Sequence, residues 1–206
     1  MIQLELAGEN ALILYLPAQI SAGNLSQLQQ LQQHIRDVLH DQLQELLPSY
    51  ASLLIVLKPE HKGLLHSKAL LEQQLTLSAS WSEQAGQLVV LPVYYHNGWD
   101  LDAVAQRAGV TPEQVIELHQ AMDYRVYAIG FAPGFAYLSE LDGRLALPRR
   151  STPRTHVPAG SLAIAERQTA IYPQASPGGW HLLGRCPWSL FDWQAAQPCR
   201  LALGDR

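Results

Sequence analysis

Residues Tyr127–Pro187 read YAIGFAPGFAYLSELDGRLALPRRSTPRTHVPAGSLAIAERQTAIYPQASPGGWHLLGRCP. The stretch holds seven of the chain's 14 Gly and seven of its 13 Pro. It has four Arg between positions 144 and 154 and no Lys. Glycine lets a backbone take positive φ or approach another group closely, and proline fixes φ. Short apolar runs alternate with these breakers, a pattern that predicts short strands joined by shaped loops. Strands are expected at Tyr124–Ile129, Ser161–Ala165, Thr169–Tyr172, His181–Arg185, Ser189–Phe191 and Arg200–Leu203. Many short strands at turn-rich spacing suggest a β-barrel or sandwich whose loops carry the site.

Upstream of that stretch the pattern changes. Leu88–Tyr95 is expected as an edge strand because Pro92 interrupts it. Asp100 is expected to cap a helix that runs to Arg107 and stops at Gly109. Thr111-Pro112-Glu113-Gln114 is a capping-box start for a second helix, ending at Met122. Further upstream, Ile2–Ala7 and Ala11–Leu16 read as strands around Gly8. The spacing of Leu28, Leu31, Ile35 and Val38 predicts a helix over 22–39, either packed on its own sheet or forming a short coiled-coil seam. Leu43–Leu47 and Leu53–Leu57 read as strands, and Gly63–Leu77 as a helix. The expected class is therefore α+β, with a small ββαββα α/β domain over 1–79 followed by a β-barrel domain over 86–206. The polar segment Ser78–Gln87 is the expected linker.

A chain of 206 residues with 48% hydrophobic and 16% charged side chains can bury a real core and is not expected to be disordered. Its net charge of −4 argues against nucleic-acid binding. The excess acid lies in residues 1–87, with eight acidic and four basic side chains; residues 88–206 carry ten of each. The longest N-terminal apolar run, Ala11–Leu16, is too short for a signal peptide or a membrane span, so a cytoplasmic location is expected. Cys186 and Cys199 show no CxxC or zinc-type spacing. No HExxH, P-loop, GxGxxG or GxSxG is present.

Several groups could carry binding. Gly130-Phe131-Ala132 and Gly134-Phe135-Ala136 flank Pro133 as near repeats; the Phe pair either presents aromatic faces or plugs the end of the sheet. Arg149, Arg150 and Arg154 lie among prolines. Arg is a planar fork suited to carboxylate or phosphate, though these three could instead pair with Glu140 and Asp142. Val157-Pro158-Ala159-Gly160-Ser161 could cradle an anion with backbone N–H groups. Gln168 and Tyr172 could hold an amide, and Ser176-Pro177-Gly178-Gly179-Trp180 turns into an aromatic wall. His119, on the apolar face of its helix, is read as a hydrogen-bonded core histidine or, alternatively, as a base.

In order, these residues resemble the B-type subunits of bacterial 5-oxoprolinase. The same family goes by allophanate hydrolase subunit 1 and Kip-type kinase inhibitor. The resemblance is carried by Leu118-His119, Tyr124-Arg125-Val126-Tyr127, GF-x-PGF-x-YL at 130–138, Pro148-Arg149 and Thr152-Pro153-Arg154. It continues through VPAGS at 157–161, QT-x-IYP at 168–173, SPGGW at 176–180, Leu183-Gly184-Arg185 and Leu190-Phe191-Asp192. It implies a cyclophilin-like β-barrel behind a small α/β domain. It also implies a protein that works with a homologous C-type subunit and an A-type lactam-utilisation subunit, together opening 5-oxoproline to glutamate at the expense of ATP. The ATP site is then shared with, or on, a partner, and no metal ligand set is expected in this chain.

On that resemblance Phe135, Tyr137, Arg149, Arg154, Gln168, Tyr172 and Trp180 line a substrate cleft. Gly130, Pro133, Gly134, Pro158, Gly160, Gly178 and Gly179 shape it, and the catalytic residues are unassigned. The family's other implied roles are an inhibitor that binds a sensor histidine kinase and an allophanate- or urea-type amide hydrolase component. The chain departs from the family pattern at Tyr95–Leu101, which is short and poor in Gly. It departs again where family glycines become Ala163, Ala165, Glu166 and Ala170.

Overall fold

The structure is a computed structural model that describes residues 2–61, 63–77, 86–95 and 99–206. It divides into two compact units, Met1–Ala85 and Gly86–Arg206. Most of the expected linker Ser78–Gln87, and positions 96–98 of the Gly-poor loop, lie outside the described residues.

The first unit is one sheet with its helices. Strands β1 (Gln3–Leu6), β2 (Ala11–Tyr15), β3 (Leu43–Pro48) and β4 (Ser52–Leu57) form an antiparallel sheet in the order β1-β2-β4-β3. Alternation along β4 buries Leu53, Ile55 and Leu57 and leaves the residues between them half-buried, as a period of two requires. Helix α1 (Ala22–Leu39) is capped by Ser21, whose side chain accepts from the N–H of Asn24. Leu28, Leu31 and Ile35 of α1 and Leu71 of helix α2 (Leu64–Leu77) are fully buried against that sheet. The apolar stripe of α1 thus serves its own core rather than a coiled-coil seam.

In the second unit, helix α3 (Leu101–Ala108) ends at Gly109, which takes φ 69° in the left-handed C-cap position. Helix α4 (Pro112–Gln120) starts in a complete capping box formed by Thr111 and Gln114. Seven strands follow: β5 (Arg125–Ile129), β6 (Ala136–Ser139), β7 (Arg154–Val157), β8 (Ser161–Ala165), β9 (Gln168–Ile171), β10 (Ser176–Gly178) and β11 (His181–Arg185). Five of them form an antiparallel sheet in the order β11-β8-β9-β6-β5, and β7 with β10 makes a separate ribbon. The two edge strands, β11 and β5, do not pair with each other, so the expected barrel does not close among the described residues.

Three expected strands are not strands. Leu88–Val93 makes no ladder; Val89 donates to the Arg206 carbonyl, and Tyr94 forms a single bridge with Arg185. Ser189–Phe191 and Arg200–Leu203 are irregular, with one bridge between Phe191 and Cys199. Pro92 interrupts the first of these stretches, and Pro198 lies between the other two.

The turn between β8 and β9 falls on Glu166, which takes φ 52° while its N–H donates to the Leu147 carbonyl. An L-residue held in this region costs about 1–2 kcal/mol. Glu166→Gly is therefore expected to leave thermal stability unchanged or raise it by up to about 1 kcal/mol, read from denaturation curves. A lower midpoint would show that the Glu166 side chain contributes more than its backbone strain.

Candidate functional site

One face of the five-stranded sheet is built from small side chains. Ala163 and Ala165 of β8 and Ala170 of β9 are buried, and they leave room for a cluster of rings. Phe135 sits at its centre, 4.8 Å from Tyr137, 5.2 Å from Tyr172 and 5.9 Å from Trp180 between ring centroids. The contacts to Tyr172 and Trp180 are edge-to-face at 88°, the favoured geometry for aromatic pairs. Phe135, Tyr172 and Trp180 are buried; Tyr137 is half-buried. Phe131, on the turn before β6, is 68% exposed and takes φ 69°, yet its ring still meets Phe135 edge-on at 5.4 Å. The two Phe have therefore divided the roles read for them, with one plugging the cluster and the other standing at its mouth.

The glycines and prolines of the motif shape this cluster. A Cβ on Gly178 would lie 2.3 Å from the Tyr172 hydroxyl oxygen, so only glycine lets that phenol reach its place beside the β10 backbone. Gly179 accepts from the Arg150 N–H at 2.8 Å, which ties the Arg segment to the Trp180 turn. Gly130 donates to the Phe135 carbonyl across the turn that contains exposed Pro133 and buried Gly134. In the turn over 157–161 the Gly160 and Ser161 N–H groups are taken up within the protein. Gly160 donates to the Tyr172 carbonyl at 2.7 Å, and Ser161 donates to the Pro158 carbonyl.

Sequence reading placed Asp100 as a helix cap, and the structure corrects this. The residue stands at the N-cap of α3, but its side chain makes no cap hydrogen bond. Its carboxylate is buried and turned inward. Oδ1 accepts from Arg154 at 2.8 Å and from Arg150 at 3.0 Å, and Oδ2 accepts from the Leu182 N–H at 2.7 Å. Burial opposes its ionisation. The Arg154 hydrogen bond, the Leu182 N–H and the two guanidinium charges outweigh burial and hold the carboxyl below its ordinary range. Arg154 also lies over the Trp99 ring at 5.5 Å.

The arginines read as one binding group thus separate. Arg150 and Arg154 are anchored by Asp100, although Arg154 keeps a buried Nη1 donor, and Arg150 a buried Nε, without a hydrogen-bond partner among the described residues. Arg149 is exposed at the rim of the ring cluster. Burial raises the hydroxyl pKa of Tyr137 and of Tyr172, and the Arg149 charge opposes that rise at both. Glu140 and Asp142 pair instead with Arg167 and Arg144. Gln168 opens β9 on the same strand face as Ala170 and Tyr172. Of the seven side chains expected to line a cleft, Phe135, Tyr172 and Trp180 are interior. Tyr137, Gln168 and Arg149 form the accessible rim, and Arg154 stands behind it.

The opposite sheet face carries a polar network that the sequence did not reveal. The His119 ring is bracketed by the Tyr95 hydroxyl at 2.8 Å from Nδ1 and by the Thr169 hydroxyl at 2.9 Å from Nε2. Thr169 spends its own proton on the Ala163 carbonyl, so it accepts from Nε2–H, and Nδ1 accepts from Tyr95. Burial lowers the His119 pKa to about 4 and raises that of Tyr95 to about 12, so both are neutral at pH 7. His119 is a hydrogen-bonded core residue on the floor of an apolar groove of about 320 Å³. Among the described residues no group of three or more His, Cys, Asp or Glu side chains is placed to hold a metal ion.

Residues 2–201 match the carboxyltransferase domain family, subdomains C and D. The chain is 36% identical over 203 residues to the B-type subunit of 5-oxoprolinase from Escherichia coli O157:H7, covering 97% of this chain and 91% of that one. It is 47% identical over 135 residues to the corresponding 5-oxoprolinase subunit of Haemophilus influenzae. That match covers 65% of this chain and 63% of the relative, under two thirds of its length. Among solved structures, the protein designated TTHA0988 superposes on all of this chain with a TM-score of 0.82 at 34% identity, and 39% of that longer chain is covered. The urea amidolyase of Kluyveromyces lactis superposes at a TM-score of 0.75 with 16% identity over 14% of its length, a likeness of fold.

Asp100→Asn tests the clamp. A depressed carboxyl pKa contributes stability that is complete above the unfolded value of about 4 and is lost as pH falls through the folded value. The variant is expected to lose about 1–3 kcal/mol at pH 7 and to show a flatter acid limb between pH 5 and 2. Urea denaturation across that range reads both; an unchanged acid limb would contradict the assignment.

Proposed function

The chain belongs to the family of B-type 5-oxoprolinase subunits, and we propose on that premise that it is a non-autonomous component of an ATP-dependent hydrolase that opens 5-oxo-L-proline to L-glutamate. The observation that carries the proposal is the ring cluster, with its polar groups gathered on one rim. Tyr137, Gln168 and Arg149 stand there beside exposed Phe131, and Arg154 is held behind them by Asp100. A flat, five-membered lactam with one carboxylate suits such a surface. Arg149, with the remaining Arg154 donor, takes the carboxylate. The Tyr137 phenol, kept protonated by burial, and the Gln168 amide address the lactam N–H and oxygen.

In the proposed reaction the lactam oxygen attacks the γ-phosphorus of ATP and ADP leaves. Water adds to the activated ring carbon and the C–N bond breaks, leaving the free amine and a γ-glutamyl phosphate, which a second water hydrolyses to glutamate and phosphate. A homologous C-type subunit and an A-type lactam-utilisation subunit complete the cleft in this reading, with ATP shared with or bound on a partner. The domains are read as 1–79 and 86–206. The five-stranded sheet and the β7–β10 ribbon support a cyclophilin-like architecture for the second. The complex is placed in the cytoplasm; no helix among the described residues is long and apolar enough to cross a membrane.

The test is to purify the chain with its C-type and A-type partners and assay glutamate. ATP-dependent release is expected from the complete set, and none from this chain alone. Arg149→Ala is expected to lower kcat/KM about 10- to 100-fold, the loss of one charge-assisted hydrogen bond, with an unchanged denaturation midpoint. A complete set that releases no glutamate contradicts the function. An active set indifferent to Arg149→Ala contradicts the site.

A further inference from the structure

A second cavity, of about 570 Å³, lies where Tyr94 bridges Arg185 and the Gly160 turn meets Cys186. Its size is that of small-molecule pockets. Its floor is rigid: Tyr94 and Arg185 exchange both backbone hydrogen bonds at 2.8 Å, and Cys186 donates to the Gly160 carbonyl at 2.8 Å. A Cβ on Gly160 would lie 2.4 Å from the Cys186 carbonyl oxygen, so glycine lets this turn close on the Cys186 backbone. Arg185 is the charged side chain among the described lining residues; no carboxylate lines the cavity, and none of the described ion pairs uses Arg185.

Two large rings also line the cavity and face solvent, Tyr94 at 54% exposure and Trp188 at 43%. Arg200, which does not line it, stacks behind Trp188 at 4.8 Å and is tied to the Ser189 carbonyl at 3.1 Å. One face of the indole is thereby taken by a cation, and the ring is fixed in position. A fixed indole, a second exposed ring and a guanidinium without a carboxylate make a defined chemistry: stacking for a flat ring and a fork for its anion.

We propose that this cavity binds an anion carried on a flat ring, with a nucleoside phosphate as its best-fitting class. The phosphate meets Arg185 and the ring stacks on Trp188 or Tyr94. The site goes beyond the rim described above. Its test needs neither partner subunits nor turnover, so its failure leaves the proposed activity standing.

The experiment is calorimetric titration of the isolated full chain with AMP, phenyl phosphate and inorganic phosphate. AMP is expected to bind more tightly than inorganic phosphate. Arg185→Gln and Trp188→Leu are each expected to weaken it at least tenfold, with the denaturation midpoint of Arg185→Gln unchanged. AMP binding much tighter than phenyl phosphate identifies a nucleotide site; equal binding identifies a simpler aryl-phosphate site, and both support the cavity. Absence of binding by both ring-bearing probes, or binding that neither substitution weakens, overturns the proposal.

Discussion

A carboxylate removed from water is unfavourable unless its lone pairs are taken by donors, and Asp100 meets that demand with three. Its two oxygens accept from Arg150, Arg154 and the Leu182 N–H. Those donors come from the Pro-rich segment before β7, from β7 itself and from β11, far apart in sequence. One buried charge therefore fixes the start of α3 against two regions whose backbones share little regular pairing. The Arg150 N–H to Gly179 carbonyl bond continues the tie to the Trp180 turn. The rim that carries Arg149 depends on this clamp, because Arg149 adjoins a residue that the clamp holds.

The five-stranded sheet separates two kinds of chemistry. On one face, alanines at 163, 165 and 170 give rings space to pack edge-to-face around Phe135. On the other, Thr169 points to His119 and completes a chain of neutral hydrogen bonds with Tyr95. Strand β9 serves both through its alternation, with Gln168 and Ala170 on one side and Thr169 on the other. Ala163, Ala165 and Ala170 do not strain these strands, because none of the three takes positive φ. Glu166, at the turn between β8 and β9, does. These alanines therefore set how this face is filled and leave the strand path intact.

Local chemistry was legible in the sequence. The capping box at Thr111, the stop at Gly109 and the apolar stripe of α1 each depend on residues within a few positions of one another. The ring cluster was legible through the ordered motif that carried the family. Long-range partners were not: Asp100 looks like a cap because Asp commonly is one, and nothing nearby points to Leu182, 82 positions away. Strand existence was also hard to read where pairing partners are few. Leu88–Val93 has the apolar composition of a strand but finds only scattered backbone partners, while the short β7–β10 ribbon lacks an apolar run to announce it. The division between Arg149 and Arg154 was invisible for the same reason, since both sit in the same Pro-rich context and differ only in what reaches them.

The central claim, that the buried Asp100 clamp organises the candidate site, is tested most directly by a double-mutant cycle. Stabilities of the parent chain, Asp100→Asn, Arg154→Met and the double variant would be measured by urea denaturation at pH 7. A favourable coupling of at least about 1 kcal/mol is predicted, as expected for directly bonded groups sharing a buried network. A coupling within about 0.3 kcal/mol of zero would contradict the claim, because the two residues would then contribute independently of their contact.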